Sequence, residues 1–86
     1  MPEGDEKKLV GKVTHFFTNI NVAVVELSDT VRVGDRLSFE GATTNFEQEL
    51  ESMQIHNKPV NEAKAGNAVG IKVRERVREG DQVFRL

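Results

Sequence analysis

Asn45-Phe46-Glu47-Gln48-Glu49-Leu50-Glu51-Ser52-Met53-Gln54-Ile55 is the stretch on which the fold turns, because it fits two incompatible periods. Phe46, Leu50 and Met53 fall at i, i+4 and i+7, and Thr44 with Glu47 matches a capping box, so local rules favour a helix over 45–55. A strand instead sets Glu47, Glu49 and Glu51 on one face. Met53 and Ile55 then share that face unless a bulge near Ser52 turns them inward. On the residues alone both readings stand.

Moving outward, the flanks are strand-like. Toward the N-terminus, Val31-Arg32-Val33-Gly34-Asp35 leads into Arg36-Leu37-Ser38-Phe39, and toward the C-terminus Val77-Arg78-Glu79-Gly80-Asp81 leads into Gln82-Val83-Phe84-Arg85. Gly takes backbone angles closed to other residues and Asp bonds to nearby amides, so each Gly-Asp pair marks a turn that starts a strand. Ala63 to Asn67 is a further turn, and Ala68 to Val73 the strand after it. Val22 to Leu27 is nearly continuous in apolar residues, as suits a strand covered on both sides. Lys7 to Phe17 reads as the first strand, with Leu9, Gly11, Val13 and His15 on one face and Gly11 hinting at a bulge or a close backbone approach. Pro59 belongs to a loop or edge, with Val60 a short strand. Six or seven short strands separated by turns make an all-β barrel or sandwich.

Eighty-six residues make one domain with a modest core. Residues 1–6 hold nothing to bury and read as a disordered tail, leaving 7–86 as the domain. Cysteine is absent, so thiolate metal sites are excluded and a reducing, cytoplasmic setting fits. No apolar run approaches a membrane span. The net charge of −2 argues against a strong non-specific nucleic-acid binder. The chain holds no phosphate-binding loop of the GxxxxGK[ST] kind, hence no nucleotide binding by itself. His15 and His56 are far apart and lack acidic or histidine neighbours in sequence, and Ser28, Ser38 and Ser52 lie in no nucleophile elbow. Asp35 and Asp81 suit turn capping better than paired acid–base chemistry. The expectation is a chain that is not an enzyme and needs no cofactor or metal.

One charged feature stands out. Lys72, Arg74, Arg76 and Arg78 alternate with Ile71, Val73 and Val77, which on a continuous strand lines four cations along roughly 20 Å, a spacing suited to a phosphate backbone. The competing explanation is a salt-bridge ladder against Glu47, Glu49 and Glu51, of little energetic weight.

The segments Leu50 to His56 and Glu62 to Ile71, with Gly66 and Val69-Gly70 at their centre, together with Gly11-Lys12-Val13 and Val33-Gly34-Asp35, carry a family resemblance. The chain from about Leu9 to Leu86 resembles the second, β-barrel domain of the translation elongation factors of the aminoacyl-tRNA carrier type. Gln54 and Asn67 depart from it, standing where the factors usually carry acids. The resemblance implies a single closed, six- to seven-stranded antiparallel barrel, and so a strand over Phe46 to Ile55. Together with the basic stripe it leads to the expectation of a stand-alone, translation-related RNA-binding module, with tRNA or ribosomal RNA as partner and Lys72, Arg74, Arg76, Arg78, Gln54, His56, Lys58 and Asn67 as candidate contacts. Gly34, Asp35, Gly66, Gly70, Gly80 and Asp81 are its structural turn positions. The alternative is an adaptor that docks on a translation-related protein or another larger factor or enzyme. Similar barrels also occur as accessory terminal domains of collagenase-like U32 peptidases.

Overall fold

The computed structural model describes residues 7–86, so the N-terminal tail lies outside the described residues. The architecture is all-β. Among the described residues ten strands follow in order: β1 Lys8–Phe17, β2 Val22–Leu27, β3 Val31–Arg32, β4 Arg36–Glu40, β5 Asn45–Glu49, β6 Met53–Ile55, β7 Lys58–Val60, β8 Glu62–Ala63, β9 Ala68–Lys72 and β10 Gln82–Arg85. Eight of them form one antiparallel sheet in the order β5-β4-β10-β1-β2-β9-β6-β7, and β3 pairs with β8 apart from it. The sheet wraps one core in which Val10, Val13, Val25, Leu37, Phe39, Leu50, Val69 and Val83 are fully buried.

The ambiguous stretch is extended. Tertiary pairing overrides its helical period: β5 takes a full antiparallel register against β4, and Phe46 stacks on the buried Phe39 ring at 5.0 Å and 9°. Phe46, Gln48 and Leu50 face inward. Glu51 and Ser52 are then both exposed, and this slip of one residue returns Met53 and Ile55 to the interior side. β1 carries two register shifts, between Leu9 and Gly11 and between Val13 and His15. They turn Val10, Val13 and Phe16 inward, so a single alternation along β1 does not hold. At the first of them a Cβ on Gly11 would sit 2.6 Å from Val25 Cγ1 and 2.9 Å from the Glu26 carbonyl, so β2 approaches closely only because that side chain is missing.

The expectation of a closed barrel is corrected. β5 and β6 are separated by only Leu50–Ser52, a reach of at most about 14 Å, yet they lie toward opposite ends of the strand order and no backbone ladder joins them. The sheet is an open half-barrel. Its seam is bridged by one buried amide: Gln48 Nε2 donates to the Lys72 carbonyl at 2.9 Å, and Gln48 Oε1 accepts from the Arg74 N–H at 2.8 Å. Closure fails because β5 offers a side chain at the place where a ladder would need a backbone.

Three turns share one construction. In Arg32-Val33-Gly34-Asp35, Lys64-Ala65-Gly66-Asn67 and Arg78-Glu79-Gly80-Asp81 the glycine has φ of 104°, 93° and 93°. In each, the fourth residue's carboxylate or amide oxygen accepts from the first residue's N–H, at 2.9, 3.0 and 2.8 Å respectively. Each glycine N–H also donates to a core residue's carbonyl, and that residue's N–H donates back to the Asp or Asn carbonyl. The core residues are Leu50, Leu27 and Val13. One turn chemistry therefore fastens three different strands to the core.

Two carboxylates at the sheet margin titrate low. Asp29 is held below its ordinary value first by the Lys8 ammonium, at 2.8 Å, and then by the Thr30 N–H, with Arg85 at 3.6 Å. Glu40 is lowered first by Lys7 and then by the Ser38 hydroxyl at 2.9 Å.

Candidate functional site

The outer face of the sheet carries a trough at the far end of β1, and local structure explains each wall. β2 alternates: Ala23, Val25 and Leu27 are buried, whereas Val22 and Val24 point outward. Among the described residues no layer covers that face, so the unbroken apolar run of β2 is not that of a strand buried on both sides. Phe17, which ends β1, and Ile20, in the β1–β2 connection, are 46% and 56% exposed. Across the sheet, Val24, Gly70, Gln54 and Pro59 stand in one row of paired residues. Gly70 is the low point of that row. A Cβ there would project to 3.2 Å from Val22 Cγ1.

The trough has a volume of about 270 Å³. Its apolar wall is Phe17, Ile20, Val22 and Val24, and its polar rim is Gln54, His56 and Asn57. His56 and Asn57 both have positive φ, 53° and 65°, as the two-residue β6–β7 hairpin demands. Asn21, beside Ile20, is a third such residue at 54°. His15 meets the Phe17 ring edge-on at 4.4 Å and lies 3.5 Å from Glu79. A flat apolar wall facing a row of amide and imidazole groups suits an extended chain, whose side chains the wall takes and whose carbonyl and N–H groups the rim can bond.

Of the residues singled out from sequence, Gln54, His56 and Gly70 converge on the trough. Lys72 lines an adjoining recess with Ile20, Val22 and Gln54. The rest lie elsewhere. Lys58 sits on β7 past the hairpin. Asn67 is occupied by its turn. β9 ends at Lys72, and bends at Arg74 and Glu75 break the stripe, so Arg74, Arg76 and Arg78 do not continue one strand face. The supposed ladder has one rung, Arg74 with Glu51 at 3.6 Å, while Glu47 pairs with Arg36 across β4 and β5. Gly34, Asp35, Gly66, Gly80 and Asp81 build the three turns. Val22, Val24 and Ile20 were not singled out from sequence, although apolar residues on the solvent face of β2 were the available signal. Among the described residues, no three His, Cys, Asp or Glu side chains converge on a metal-sized space.

No family model matches the sequence. Over 78 residues, 90% of this chain, it is 41% identical to a Methanocaldococcus jannaschii protein named as an uncharacterized protease. Over 83 residues, 94% of the chain, it is 32% identical to a collagenase of Porphyromonas gingivalis. These matches span 19% and 23% of the two relatives, so the chain covers about a fifth of their length. The fold matches the crystal structure of the C-terminal domain of a Geobacillus thermoleovorans protein described as a candidate U32 peptidase. The TM-score is 0.86 at 21% identity, covering 92% of each chain, a likeness that shows the fold.

These findings overturn the elongation-factor resemblance and the translation-related, RNA-binding function drawn from it. The matching positions were glycines and apolar residues, and the structure explains why they mislead. Gly11, Gly34, Gly66 and Gly70 serve close approach or turns, which report strand geometry rather than a ligand. The adaptor alternative gains no support from the relatives' names either. The expectation that the chain is no enzyme is corrected too, since its relatives are named as a protease and a collagenase. That expectation rested on motifs missing from 86 residues, and so short a chain samples only a fifth of such proteins.

Proposed function

We propose that this chain is a substrate-holding β-domain of a U32-type peptidase, placed after the catalytic portion, in keeping with the Geobacillus domain being C-terminal in its own protein, and that the trough over Gly70 seats an extended segment of the substrate polypeptide. The observation that carries the reading is the apolar wall of exposed Phe17 and Ile20 with half-buried Val22 and Val24, facing a polar rim, in a chain of which 90% and 94% match part of a protease and a collagenase. Holding a polypeptide needs no catalytic group of its own. It raises the local concentration of the substrate and fixes its direction, which lowers KM. The lack of cysteine suits a cytoplasmic enzyme.

The test is a chimera in which this chain replaces the matched segment of the Porphyromonas gingivalis collagenase, assayed on denatured collagen. Deleting the segment is expected to raise KM, and this chain to restore it. Exchanging Phe17 and Ile20 together for Ser removes roughly half-buried contacts worth about 1 kcal/mol, so KM should rise about fivefold with kcat little changed. A deletion that leaves KM untouched would refute the reading.

A further inference from the structure

The opposite end of β1 carries a second apolar surface, roughly 25 Å from Phe17 by strand rise. Leu9 is 45% exposed and Leu86 44% exposed. The pairing of Lys8 with Arg85 and of Leu9 with Phe84 sets the end of β10 beside the start of β1, and the Leu86 N–H is fixed to the Arg36 carbonyl at 3.0 Å. Beside them opens a cleft of about 260 Å³ floored by Leu9, Gly11, Leu27 and Gly66. Its charged lining residues, Lys12 and Glu26, stand opposite one another in the β1–β2 register, so the cleft carries no net charge around its apolar floor. The bulge at Leu9/Gly11 shapes it, and β2 is drawn close there by the absent Gly11 side chain.

We infer that this surface is the seat for the catalytic portion of the same polypeptide, packed through apolar side chains, and that the Phe17 end of β1 stays open for substrate. The inference rests on the reading above, in which the catalytic portion precedes this domain. The connection then reaches β1 at Lys8, next to Leu9, and in the Methanocaldococcus jannaschii relative the unmatched remainder is about four times the matched length. A body tethered at that point meets the Leu9–Leu86 surface first. The two ends of one strand thus take separate tasks, docking at the start and holding at the finish.

The chain has no cysteine, which makes single-thiol probes clean. Leu9→Cys, Leu86→Cys and Phe17→Cys are alkylated with iodoacetamide, in the isolated chain and in the collagenase chimera, with the modified peptide followed by mass spectrometry. In the chimera the thiols at positions 9 and 86 should react at least about tenfold more slowly, as burial of half-exposed groups requires, while the thiol at 17 keeps its rate within about twofold. Equal rates at 9 and 86 in both proteins would overturn the inference, as would slowing at 17 alone. A chimera that hydrolyses denatured collagen normally, yet shows equal rates at 9 and 86, removes the docking face and leaves the substrate reading standing.

Discussion

Gly41→Ala is expected to destabilise the fold by about 3 kcal/mol, a fall in melting temperature of roughly 12–24 °C for a domain of this size. The position is an exposed loop residue with no unusual φ, so ordinary surface reasoning predicts almost nothing. A Cβ on Gly41, however, would lie 2.0 Å from Asp81 Oδ1 and 2.6 Å from its Cγ. Asp81 cannot step aside at little cost. It is 5% exposed, and its Oδ2 holds the Arg78 N–H at 2.8 Å in the third of the repeated turns. Withdrawing it breaks that bond and leaves a charged group poorly satisfied out of water, a loss of about 1–3 kcal/mol before any backbone strain. Total stability for about 80 residues is only about 4–12 kcal/mol, so the effect is large. Urea unfolding checks it. The double-mutant cycle with Asp81→Ala should show coupling of about 2 kcal/mol, because the added methyl then meets empty space. Additive costs would contradict the contact.

Gln48→Leu should cost about as much, for a different reason. The inward-facing amide is the bridge across the seam of the half-barrel, serving the Lys72 carbonyl and the Arg74 N–H together. Leu keeps approximate volume but satisfies neither group, and each unsatisfied backbone partner costs about 1–3 kcal/mol, less where water reaches it. A loss near 3 kcal/mol is therefore expected. Amide exchange gives the decisive readout. The Arg74 N–H should lose its protection while amides within β1 and β2 keep theirs relative to global unfolding. Unchanged exchange at Arg74 would show that the seam is held by something other than Gln48.

How much of this could be read from the residues varies with the range of the interaction. Turns are local, and Gly34-Asp35 and Gly80-Asp81 announce themselves. The third copy, Gly66-Asn67, is visible once the pattern is written as a basic residue, any residue, Gly, then Asp or Asn. The extended state of Phe46 to Ile55 is not legible from its own residues, because the stacking of Phe46 on Phe39 and the slip at Glu51 and Ser52 are properties of neighbouring strands. The Gly41–Asp81 contact and the Gln48 bridge join residues 40 and about 25 positions apart, and no periodicity encodes them. Part of the trough is legible: Gln54 and His56 stand among the candidate contacts and Gly70 among the structural turn positions. Its apolar wall was hidden in β2, whose run of valines looked like a strand with two buried faces although one face lies open. The basic stripe misled because alternation over Lys72 to Arg78 presumes a strand that stops at Lys72.

The claim that the trough over Gly70 holds polypeptide is tested most directly by titrating the ¹⁵N-labelled chain with denatured collagen fragments and following amide shifts. Shifts should gather at Phe17, Ile20, Asn57 and Gly70, and Gly70→Ala should abolish them while the rest of the spectrum stays in place, since the added methyl displaces only the Val22 side chain by a few tenths of an ångström. Shifts confined to Arg74–Arg78 or to Leu9–Lys12, or none at millimolar peptide, would contradict it.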